Sequence, residues 1–159
     1  MNLINLKASI TKNKHFEITR LTFLCLLIAI VNGYFFSSLN ERYFHFSSNG
    51  NDMNELSSEG KLFVILIFAP LIETLFFQFL PSQILHELKI TKQLYLVLIP
   101  SVLFSLVHFY FWLYMVMAFI GGIILNYYYI EMKKISKFSF LLTLLLHFLY
   151  NLYGFVFVV

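Results

Sequence analysis

From Leu94 to Ile130 the chain carries no charged residue. As one helix that run would be roughly 55 Å long at about 1.5 Å per residue, too long for a hydrocarbon core of about 30 Å. The chain must turn once inside it and cross twice. The cluster Phe109, Tyr110, Phe111, Trp112 and Tyr114 has the composition of a membrane-interface belt. The turn is therefore expected near 110–112, with a third span of about 94–110 and a fourth of about 112–130.

Three further apolar runs are long enough to cross: Leu21–Leu39, Lys61–Leu80 and Phe138–Val159. The expected fold is all-α, a polytopic transmembrane helix bundle with about five spans. Composition agrees, since 60% of residues are hydrophobic and 12% charged, with a mean hydropathy of +0.80. Soluble domains lie far from these values. The basic start followed by an apolar run resembles a secretory signal. The run is longer than a usual signal core and ends in Asn40-Glu41-Arg42 without a small-x-small site, so it reads as a retained first helix. Within it, Asn32-Gly33 is expected to pack against a neighbouring helix.

Residues 1–20 read as an N-terminal segment, 21–60 as the first transmembrane helix and a polar, flexible loop, and 61–159 as the core. Lysines and arginines near the spans set the orientation. Nine lie at the N-terminus and in the 81–93 and 131–137 loops, against Arg42 and Lys61 on the other side. This places the N-terminus in the cytoplasm and residues 40–60 outside. The positive charge is spread between spans and forms no basic block, which argues against a nucleic-acid partner. The single cysteine, Cys25, excludes an internal disulfide and reads as packing.

Glu73, in Ala69-Pro-Leu-Ile-Glu-Thr-Leu-Phe-Phe-Gln78, is the one acidic residue inside an apolar run. A charged side chain at that depth costs about 3 kcal/mol or more unless it is protonated, partnered or hydrated. Partners for it exist on other spans: His108 in the third, His147 and Asn151 in the fifth. Asn126 and Thr143 are lesser candidates. Each polar residue alone can be explained as a hydrogen bond between helices. Together they form a chemical set. His147 and Asn151 are four apart and share a helix face, so both can donate to one oxygen, as acyl transfer requires of an oxyanion hole. Glu73 in a wet pocket can act as general base toward water. His108 can hold that water or protonate the leaving amine, and Phe104, four residues earlier, can wall the pocket.

The three motifs Glu73-Thr-Leu-Phe-Phe-Gln78, Phe104-Ser-Leu-Val-His108 and His147-Phe-Leu-Tyr-Asn151 occur in that order in separate apolar segments. This trio resembles the CAAX protease and bacteriocin-processing (CPBP, or Abi) family of intramembrane proteases over about residues 61–155. The resemblance implies a CPBP-like intramembrane protease core. It implies that Glu73 and His108 activate water and that His147 and Asn151 stabilise the oxyanion, with Thr74, Gln78 and Phe104 supporting. The implied substrate is a peptide or protein, lipidated or not, met in the lipid bilayer of a bacterial cell membrane. Peptide maturation or bacteriocin immunity is the implied role. First motifs of the family usually carry Glu-Glu and then Arg, where this chain has Thr74 and Gln78. Both charges are replaced together, so no lone buried charge remains; one would cost about 3–5 kcal/mol.

No cofactor is expected. The chemical alternative is Zn2+ on Glu73, His108 and His147, since zinc takes three protein ligands and a water, but the His-Glu-x-x-His helix signature of zinc proteases is absent. Rival readings are a non-catalytic immunity or binding protein on the same fold and a small proton-coupled transporter. Self-association into a homo-oligomer is also expected, because five spans make a thin wall. Depth gives one structural requirement. If the second helix stopped at Leu80, Glu73 would sit only about 10 Å from the cytoplasmic end and miss its partners. The catalytic reading requires that helix to run through Pro81 to about Leu88.

Overall fold

The computed structural model describes residues 3–46 and 57–157, with side chains from Asn13 onward. Five helical segments follow one another: α1 (Leu3–Leu39), α2 (Ser58–Glu87), α3 (Gln93–Leu106), α4 (Trp112–Ile135) and α5 (Ser139–Phe157). Four of these stretches are long and apolar enough to cross a membrane, whereas α3 is a shorter apolar helix of 14 residues. At 1.5 Å per residue α3 is only about 21 Å long. An all-α membrane bundle is what the apolar runs called for. The protein is an integral, multi-pass membrane protein.

The turn inside the uncharged run lies at 107–111, close to its expected place, but α3 ends earlier and α4 runs further than expected. His108 is therefore in the turn just after α3 and not in a span, although its N–H still reaches Ser105 O at 3.0 Å. Phe109, Tyr110 and Trp112 are exposed, as a belt would be. Phe46 packs tilted against Phe111 with ring centroids 4.9 Å apart, and Phe44 meets Trp112 edge-on at 5.2 Å. The segment that follows α1 thus caps the α3–α4 turn. The flexible loop expected over residues 40–60 falls, for 47–56, outside the described residues.

Helix α2 passes both of its prolines without stopping. A proline inside a helix lacks an N–H and its ring clashes with the carbonyl four residues earlier. Here a π turn precedes each one: Val64–Phe68 before Pro70, and Leu75–Phe79 before Pro81. Bonding from residue i to i+5 widens the helix where the ring must fit. Ala69 N–H goes to Val64 O and Leu80 N–H to Leu75 O. The continuation past Pro81 required for Glu73 is present, and it ends at Glu87.

Helix α4 is the centre of the bundle, packed against α1, α3 and α5. Its buried residues Ala118, Ile124, Leu125, Tyr128 and Met132 join Cys25 and Ala29 of α1, Phe104 of α3 and Leu146 of α5 in one core. Cys25 is buried there as a packing residue. Polar cross-links are few and placed where hydrocarbon would penalise free groups. Asn32 Nδ2 donates to Met117 O at 3.1 Å, and Tyr128 shares a 2.6 Å hydrogen bond with Thr22. Gly33 admits the Tyr150 ring: a Cβ there would lie 3.0 Å from its hydroxyl. Asn32-Gly33 is thus the helix contact expected of it. Gly122 does the same for α3, since a Cβ would lie 3.1 Å from Ser101 Cα. Gly121 does not share that role and meets nothing within 4 Å.

Candidate active site

Glu73, His108 and His147 converge. The Glu73 carboxylate lies between two imidazoles, with Oε2 3.4 Å from His147 Nε2 and Oε1 3.9 Å from His108 Nε2. The Glu73 side chain keeps 23% of its exposure, His108 14% and His147 3%. All three line a cavity of about 120 Å³ that also has Phe104, Tyr114, Tyr150 and Asn151 on its wall. A cavity of that size with several polar groups can hold water.

Hydrogen-bond partners assign the imidazole protons. His108 Nδ1 lies 2.6 Å from Phe104 O. A carbonyl only accepts, so Nδ1 carries the proton, and Nε2 of the neutral ring is left as an acceptor facing Glu73. At 3.9 Å these two groups are too far apart to bond directly, and one water can bridge them. On the other side, an ionised Glu73 can only accept, so His147 donates from Nε2. His147 Nδ1 then takes the Thr74 hydroxyl, 3.4 Å away. The line Thr74, His147, Glu73 orients the carboxylate from behind and leaves Oε1 toward His108.

Phe104 lines the cavity beside both imidazoles: its ring centroid is 4.4 Å from that of His108 and 6.2 Å from that of His147. Phe77 holds Phe104 edge-on at 5.6 Å. Asn151 reaches the cavity, but one of its amide protons is spent elsewhere. Nδ2 donates to Ile65 O at 3.0 Å. That carbonyl has no donor within its own helix, because Ala69 N–H turns to Val64 O and Pro70 has no N–H. His147 and Asn151 both line the cavity, with His147 engaged through both nitrogens and Asn151 through one amide proton. Gln78 is not at the cavity. It is fully buried, and neither polar atom of its side chain has a partner among the described residues. Asn126 bonds Gly122 O and Ser101, and Thr143 bonds Ser139 O; neither lines the cavity.

Besides Glu73, His108, His147 and Asn151, two lining residues carry a polar side-chain group, Tyr114 and Tyr150. Tyr114 belongs by composition to the interface belt, and only the α3–α4 turn brings it beside His108, with ring centroids 5.9 Å apart. Tyr150 lies three residues after His147 on the same helix face, which is a spacing the sequence does display.

A family model for Rce1-like type II CAAX prenyl endopeptidases matches residues 57–153, more than half of the chain. The chain belongs to that family. It is thereby a membrane protease, and the matched segment runs from the start of α2 to just past Asn151, enclosing every residue of the cavity cluster except those supplied by α1. Neither a curated protein nor a solved structure matches the chain.

Metal binding can be tested on the same side chains. Among the described residues no three His, Cys, Asp or Glu side chains come together in a way that could hold a metal ion. Glu73, His108 and His147, the alternative zinc set, do not form such a group.

Proposed function

We propose that this protease cuts a peptide bond within the membrane with a water activated by Glu73. The observation that carries this reading is the placement of Glu73 Oε1 opposite His108 Nε2 at 3.9 Å, on a cavity large enough for water. A water between them gives one proton to Glu73 as it attacks the scissile carbonyl, while its second hydrogen bonds to His108 Nε2. The proton held on Glu73 then passes to the leaving amine. The remaining Asn151 N–H and the phenols of Tyr114 and Tyr150 are the cavity-lining donors available to the oxyanion. Thr74 and His147 hold the carboxylate in place and touch no reacting atom.

The proposed substrate is a peptide with a lipidated C-terminal CAAX sequence, in keeping with the family's name. The proposed setting is a bacterial cell membrane, with peptide maturation or bacteriocin immunity as the role. The test is hydrolysis of an internally quenched, prenylated CAAX peptide by the purified full chain in nanodiscs. Glu73→Gln is expected to lower the rate by at least about 100-fold with the fold intact, and a chelator to leave the wild-type rate unchanged. Wild-type hydrolysis by Glu73→Gln would overturn the assignment. Loss of activity on chelation, restored by Zn2+, would replace it with metal catalysis. Complete inactivity of the wild type, with cell protection kept by Glu73→Ala, would point to the non-catalytic reading.

A further inference from the structure

The second cavity lies at the opposite end of α2 from Ser58, between α2, α3 and α4. It has a volume of about 210 Å³ and is lined by Ser82, His86, Leu96, Ile130, Lys133 and Lys134. Nothing in the active-site chemistry uses it.

Its two lysines differ. Lys134 is already neutralised: its ammonium is 2.6 Å from Glu131 Oε1, and Gln93 holds the same carboxylate at 2.8 Å. Lys133 has no such partner. Its Nζ donates to Ser82 Oγ at 3.1 Å and stands 5.8 Å from the centre of the Tyr129 ring. Among the described residues no carboxylate lies within the 4.0 Å of an ion pair. A lysine at a helix end near the interface ordinarily extends its ammonium toward water. Lys133 instead turns its ammonium to a hydroxyl on the neighbouring helix whose residue is only 3% exposed. An ammonium has three protons to donate. One is used on Ser82, and two remain for an anion entering the cavity. Lys133 itself is exposed, so a ligand can reach it.

The walls narrow the choice of anion. Leu96 and Ile130 give the cavity an apolar side, and the cavity opens at the helix ends that carry Lys89, Lys92, Lys133, Lys134 and Lys137. A ligand with a phosphate beside an apolar body fits both halves. Basic pockets between helices at a lysine-rich membrane face take anionic lipid headgroups by this means. We propose that this cavity binds the phosphate of an anionic phospholipid, held by Lys133 and aimed by Ser82.

The test uses the full chain in detergent and counts bound lipid by native mass spectrometry. One arm adds phosphatidylglycerol, a second phosphatidylcholine, and a third inorganic phosphate in competition with phosphatidylglycerol. One phosphatidylglycerol is expected to bind in preference to phosphatidylcholine, and inorganic phosphate is expected not to displace it. Lys133→Met is expected to weaken binding about fivefold, the worth of one lysine at a membrane surface. Lys137→Met, at the same end but outside the cavity, is expected to leave it unchanged. Should Lys133→Met not fold, Ser82→Ala carries the same expectation of weaker binding. Equal binding of the two lipids, wild-type affinity in Lys133→Met or its substitute, or an equal loss in Lys137→Met would overturn the site. Full displacement by inorganic phosphate would show an anion site that is not a lipid site.

Discussion

Asn151 Nδ2 donates to the carbonyl of Ile65 at 3.0 Å. The bond closes a gap that Pro70 creates. The π turn before that proline sends Ala69 N–H to Val64 O, and the next residue has no N–H to offer Ile65. In hydrocarbon an unpaired carbonyl is expensive, so a carboxamide on α5 supplies the missing donor and ties α5 to the helix that carries Glu73.

This origin predicts a rescue. Asn151→Leu leaves Ile65 O unpaired and is expected to destabilise the protein by about 1–3 kcal/mol. Pro70→Ala restores an N–H one turn later, so the double variant is expected to recover part of that loss. Thermal unfolding of the four proteins in one detergent measures it. Additive losses with no recovery would refute the link between the proline and the asparagine.

Thr74 holds His147 Nδ1 at 3.4 Å. Thr74→Val keeps the shape and removes the hydroxyl. His147 is then free to change tautomer and lose its hold on Glu73. The expected result is a drop in kcat of about tenfold with little change in KM, and near-normal turnover in Thr74→Ser. A larger effect on KM than on kcat would mean that Thr74 meets substrate.

Much of the fold was legible because membrane crossing leaves a plain mark: long runs with no charge, bounded by lysines. The turn inside Leu94–Ile130 was located by its aromatics despite having neither glycine nor proline. The continuation of α2 through Pro81 followed from depth alone, because Glu73 could not otherwise meet His108 and His147. What sequence spacing did not convey were departures from the 3.6-residue period. The π turns re-aim residues after 64 and 75, and the early end of α3 puts His108 in a turn. Tyr114 entered the site through that turn, six residues from His108, where helical periodicity carries no information. The bond from Asn151 to Ile65 depends on a hydrogen bond missing from another helix, which no residue pattern in the third motif encodes.

Gln78 gives a prediction of opposite sign. Its amide nitrogen and oxygen are buried with no partner among the described residues. Each such group costs about 1–3 kcal/mol relative to a paired one. Methionine has similar length and no strong polar atoms, so Gln78→Met is expected to raise the unfolding midpoint, by an amount equivalent to about 1 kcal/mol or more. Activity should change little, since Gln78 does not line the cavity. A lowered midpoint in Gln78→Met would mean that the amide finds partners in the membrane-embedded protein.

Gly121 and Gly122 separate packing from access. A Cβ at Gly122 would lie 3.1 Å from Ser101 Cα and 3.2 Å from Phe104 Cδ1. Backbone cannot yield cheaply, so Gly122→Ala must push α3 from α4 by a few tenths of an ångström and disturb the ring that walls His108. Gly121 lines the active-site cavity and a Cβ there meets nothing within 4 Å. Gly121→Ala is expected to be tolerated, whereas Gly121→Leu fills the cavity that the proposed reaction requires for substrate and water. The expected outcome is a destabilised Gly122→Ala and a folded but slow Gly121→Leu, read by thermal unfolding and peptide hydrolysis on the same preparations. Equal loss of stability in both would mean that the two glycines serve packing alone and that substrate enters the site by another wall.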